Sequence, residues 1–179
     1  ADDPDRPVVW MDDFLGVAVD PRYAQSLVGS GGVGLAGEDA VGGVLRLTTS
    51  GEGGGAARLR LGEEPASGLY NVRNFSVGKH AVLEARVLLP QLEDAAATIG
   101  FVGLDDDRHA LALIYNSRVS GQWGFQGHNC TGASYITRPV GTAIEANRWF
   151  TVRIVTSADP LPTATLSIDG VAVSTDRKS

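Results

Sequence analysis

Cysteine is almost missing from this chain of 179 residues. Cys130 stands alone, so no internal disulfide can form and nothing demands an oxidising compartment. No window of about 18 apolar residues occurs, which removes a membrane-spanning segment. Positive charge is short as well: 15 basic residues stand against 21 acidic ones, for a net charge of −6, and the basic residues are scattered. Nucleic acid, whose phosphates require a concentrated cationic face, is therefore not an expected partner. No basic-then-apolar leader is visible, and the sequence leaves the compartment open. Helical periodicity is nearly absent, and no internal repeat points to a propeller or solenoid.

What is present is glycine, 23 residues of it, and a series of short apolar runs separated by turn residues. That combination predicts an all-β protein, an antiparallel β-sandwich in a single domain over 1–179, with 1–7 and 175–179 as flexible ends. GVLRLTT (43–49) alternates, with Leu45 and Leu47 against Arg46 and Thr48, and AARLRL (56–61) sets Leu59 and Leu61 against Arg58 and Arg60. HAVLEARVLL (80–89) places Leu83, Ala85, Val87 and Leu89 on one side and Glu84 and Arg86 on the other. RWFTVRIVTS (148–157) buries Phe150, Val152 and Ile154 and shows Thr151 and Arg153. In TATLSIDGVAV (163–173), Asp169-Gly170 is the strongest hairpin signal; a type I′ turn pairs Ile168 with Val171 and puts Leu166, Ile168, Val171 and Val173 on one face. PQLEDAAA (90–97) links two strands, and the rest of 29–55, GSGGVGLAGEDAVGG and SGEGGG, is too glycine-rich to form an element.

Few motifs carry chemistry. GSGGVG (29–34) fits the spacing of a dinucleotide-binding turn, but no helix follows whose N-terminus could meet a pyrophosphate, so it reads as a loop. Glycan hydrolysis needs two carboxylates facing each other across the scissile bond, and no glutamate has a carboxylate two residues away on the same strand face. Cys130 lies two residues after His128, a spacing within one loop that rarely gives a nucleophile and base their geometry. Asp105-Asp106-Asp107-Arg108-His109 joins two apolar strand-length runs. Calcium takes six to eight oxygens, and Asp105 and Asp107 supply at most about four, so this stretch reads as a hairpin turn. No catalytic residue, metal site or cofactor is expected.

The aromatics are the harder case. Tyr115, Trp123, Phe125, Tyr135 and Trp149 gather late in the chain, and Trp123 and Phe125 share one strand face. Closed, that face is core; open, it is a stacking platform for sugar rings, with Gln122, Gln126 and Arg153 as hydrogen-bond partners.

The order WMDDFLG, FSVGKHAVLEARVLL, IGFVGLDDDRHALALIYN, QWGFQ, ANRWFTVRIV and TLSIDGVAV resembles the concanavalin A-like lectin/glucanase (LamG-like) family of jelly rolls, over residues 8–174. Trp149 opening a strand and the IDG hairpin are the most specific part. DDFLG and LEARV are most similar to the small versions encoded by tailed bacteriophages. The resemblance implies the jelly-roll fold without the hydrolase, since the paired carboxylates of the family's enzymes are missing here. Relatives continue beyond the IDG hairpin and return a strand beside the N-terminal one, whereas this chain stops at STDRKS. That leaves VVWMDDFLG, with Val9, Trp10, Phe14 and Leu15, as an expected assembly edge. The implied role is a non-enzymatic virion surface protein, a capsid decoration or tail accessory held by other virion proteins or by itself. A secreted glycan-binding module for cell-surface glycans comes second, and a polysaccharide-active enzyme third.

Overall fold

The computed structural model describes residues 12–15, 18–35, 43–49, 55–61, 80–102, 110–128, 135–157 and 163–177. Among them there is no helix; the protein is all-β, with twelve strands in antiparallel sheets. The chain divides into two compact units, Ala1–Asn74 and Phe75–Ser179.

The first unit holds β1 (Tyr23–Val28), β2 (Gly32–Leu35), β3 (Leu45–Thr48) and β4 (Ala56–Leu61). β1 pairs with β4, from Tyr23 opposite Leu61 to Val28 opposite Ala56, and β2 pairs with β3, from Gly32 opposite Thr48 to Leu35 opposite Leu45. β2 corrects the expectation that the glycine-rich stretch forms no element. Its glycines, Gly32 and Gly34, alternate with Val33 and Leu35. Close backbone approach applies just before the strand, where a Cβ on Gly31 would lie 2.9 Å from the carbonyl oxygen of Ala56 and 3.0 Å from that of Thr48. Leu47, expected on the buried side with Leu45, stays exposed. The turn into β1 is held by Asp20, whose carboxylate takes the Arg22 guanidinium at 2.6 Å and the Arg22 backbone N–H at 2.9 Å.

The second unit is a β-sandwich of two four-stranded sheets. One has the order β12-β11-β10-β5 and the other β6-β7-β8-β9. Their strands are β5 (Val82–Val87), β6 (Ala96–Val102), β7 (Ala110–Asn116), β8 (Trp123–His128), β9 (Tyr135–Pro139), β10 (Phe150–Ser157), β11 (Thr163–Ile168) and β12 (Val171–Arg177). β6 to β9 form a meander, and the chain then returns to lay β10 beside β5. Alternation drives the assembly. In β10, Phe150, Val152 and Ile154 point inward, and in β11 so do Ala164, Leu166 and Ile168. Facing them from the other sheet are Leu113, Tyr115, Trp123 and Phe125, in one buried cluster.

The strands expected over 80–89, 148–157 and 163–173 are observed with the faces predicted for them, with one exception. Asp169 and Gly170 have φ of 49° and 80°, the pair of positive values that a type I′ turn needs, and Ile168 pairs with Val171. Beyond the turn the register shifts between Leu166 and Ser167, so Leu166 meets Ser174. Val173 still packs on the core, but Val171, on the outermost strand at the end of the sheet, is 65% exposed.

Candidate functional site

The five residues of the sugar-stacking reading do not come together. Trp123 and Phe125 do share a face of β8, but it is the inner one: they are 5% and 1% exposed. Trp123 packs at 4.9 Å against the Tyr115 ring and meets Phe150 edge-on at 5.8 Å. A ring so enclosed cannot stack on a ligand, and the open-face alternative is corrected to core. Tyr115 satisfies its hydroxyl by donating to the Leu92 carbonyl at 2.9 Å, while the Trp123 Nε1–H, fully buried, has no hydrogen-bond partner among the described residues. Gln122 is exposed in the turn before β8, and Gln126, half-buried, lies on the side of β8 away from Phe125. Arg153 belongs to the other sheet and faces outward, where it meets Glu84 at 3.4 Å. The sandwich therefore separates Gln126 from Arg153.

The expected N-terminal edge is not a strand where it is described. Phe14 has φ of 53°, and residues 12–15 lie outside every sheet. The Asp12 and Asp13 carboxylates accept the backbone N–H groups of Phe14 at 2.8 Å and Leu15 at 3.2 Å, so local turns replace extended backbone. Phe14 is half-buried, 6.2 Å from the Tyr23 ring, and Leu15 is exposed. Val9 and Trp10 lie outside the described residues, as do Asp105 to His109 and Cys130. Among the described residues no three His, Cys, Asp or Glu side chains are grouped as metal ligands.

A different surface is assembled on the outside of β5 and β10. Here Glu84 is opposite Arg153 and Arg86 opposite Thr151 in the ladder. The Arg86 guanidinium lies 5.3 Å from the centroid of the Trp149 ring, which is 41% exposed. Val82, next on the same face, is 53% exposed. β5 is the last strand of its sheet, hydrogen-bonded among the described residues to β10 alone. The face thus combines opposite charges, an accessible indole and an apolar end beside an edge. The signal was present in the sequence as the outward half of the 80–89 alternation, whose inward half was the one that identified the strand. No family model, curated protein or solved structure matches the chain.

Proposed function

We propose that this chain is a non-enzymatic structural protein of a virion surface, a capsid decoration or tail accessory built on a concanavalin A-like jelly roll. The observation that carries the reading is the edge strand β5, with Val82 exposed and one ladder of backbone groups directed away from β10. Such an edge is a template for adding another strand, and main-chain hydrogen bonds with burial of flanking apolar groups make a stable attachment. The partners are other virion proteins or further copies of the chain, and the place of action is the particle surface. Mass spectrometry of purified particles tests this: stoichiometric recovery of the chain is the expected result, and its absence from particles overturns the role.

A second reading, a secreted glycan-binding module, is favoured by Trp149. An indole left accessible beside a guanidinium offers a sugar ring both a stacking surface and hydrogen-bond donors. Binding on a glycan array that is lost in Trp149→Ala would move this reading ahead.

A further inference from the structure

We propose that β5 is a self-pairing edge: two copies of the chain lay their β5 strands antiparallel about a two-fold axis at Ala85. Two four-stranded sheets then become one continuous sheet. The inference deepens the structural reading by naming a second copy as the partner.

The segment Val82-Leu83-Glu84-Ala85-Arg86-Val87-Leu88 has the same chemistry from either end, with one change of sign. About Ala85, Glu84 of one copy is opposite Arg86 of the other, Leu83 opposite Val87, and Val82 opposite Leu88. Residues directly opposed in an antiparallel pair share a face of the sheet. The charged pairs therefore form on the outside, where Glu84 and Arg86 are exposed, and the Leu83–Val87 pairs on the inside, where both are half-buried. Each pair occurs twice because the interface is isologous.

The same residues exclude the neighbouring registers. A slip of one residue turns the apolar face of the second copy outward. Moving the axis to Glu84 puts Glu84 opposite Glu84, and moving it to Arg86 puts Arg86 opposite Arg86, both unfavourable. Only the axis at Ala85 makes every pair complementary. The existing contacts do not compete, since Glu84 and Arg153 form a pair more than half exposed on both sides, a kind worth little by itself.

Of the other three edges, β12 and β9 carry devices that block such pairing, while β6, AATIGFV, has no charged residues to set a self-complementary register; β5 has no blocking device and has the charges. The register of β12 is broken at Leu166/Ser167, and β9 ends in Pro139. β5 contains no proline, no lysine and no inward-facing charge.

Sedimentation of the full chain across the micromolar range is the test, with the wild type expected as a dimer. Glu84→Arg and Arg86→Glu each set like charges opposite one another twice, and each should raise the dimer dissociation constant by about tenfold or more. The double variant Glu84→Arg/Arg86→Glu restores opposite signs and should return to within about threefold of wild type, which a folding defect would not do. A wild type that stays monomeric, single variants that dimerise normally, or a double variant without recovery each overturn the pairing. The result is separable from the particle experiment. A dimer that is absent from particles supports the pairing and overturns only the virion role; a monomer bound stoichiometrically to particles overturns the pairing and leaves that role standing.

Discussion

Thr156 is, among the described residues, the polar residue that the sandwich encloses most completely, at 2% exposure, and its surroundings explain why it is not valine. Its hydroxyl accepts the Ala81 backbone N–H at 2.8 Å, while its own N–H donates to the Ala81 carbonyl at 2.9 Å. The ladder between β10 and β5 thus gains one more link at the end where β5 begins. Thr156→Val keeps the shape and leaves the Ala81 N–H without its acceptor, so it should lower stability by about 1–3 kcal/mol, whereas Thr156→Ser should fall between it and wild type. Urea denaturation of the three proteins checks this, and equal midpoints would show that the hydroxyl contributes nothing. Asp20 shows the charged counterpart in the first unit. The Arg22 side chain, and then the Arg22 backbone N–H, hold its carboxyl below the usual 3.8. A lowered folded value means that the stabilisation is complete above the unfolded value and is lost as the pH falls through the folded one, in strongly acid solution. Because Arg22 is 45% exposed, water screens the pair and the contribution is small.

At the scale of the element, the β11–β12 hairpin does more than reverse the chain. Asp169 at the turn accepts the Thr151 N–H on its carboxylate at 2.8 Å and donates its own N–H to the Thr151 carbonyl at 2.9 Å, fastening the turn to the start of β10. Asp169→Ala loses that acceptor and places alanine at positive φ, and should cost about 1–3 kcal/mol; Asp169→Asn keeps an acceptor and a residue tolerant of φ > 0, and should cost less than half as much. Thermal unfolding that ranks the two variants in the opposite order would refute this account. This hairpin, like β5 and β10, was legible in the sequence because a side-chain period of two and an Asp-Gly pair are both local signals. β2 was not legible, since Gly32 and Gly34 have no side chains with which to show a period. β1, YAQSLV, failed for a related reason: its exposed end, with Leu27 and Val28 turned to solvent, carries no clean alternation. The aromatic stripe marks the limit for the candidate site. Spacing places Trp123 and Phe125 on one face, but whether a second sheet covers that face depends on residues more than twenty positions away in β10 and β11. The outward row Val82, Glu84 and Arg86 had the same spacing, and it is the row left in solvent.

For the whole molecule, the distribution of the core sets what must be present for folding. Every buried hydrophobic side chain among the described residues lies between Leu89 and Ile168, and the half-buried ones packed on that cluster lie between Val87 and Val173. Both sheets that enclose the cluster are built from β5 to β12, so among the described residues the core cluster and its two sheets lie within 75–179. Burial of that apolar area is the main favourable term in folding, and none of it is contributed by β1 to β4. The fragment 75–179 should therefore unfold cooperatively by itself. Its fluorescence comes from Trp123 and Trp149 alone, since Trp10 is removed, and the enclosed Trp123 should give blue-shifted emission that moves to the red in one transition. Phe150→Ala in the same fragment takes a ring from the centre of the cluster and should lower its stability by about 3–5 kcal/mol. A fragment with no transition, or one indifferent to Phe150→Ala, would mean that the sandwich depends on the first 74 residues for its core after all.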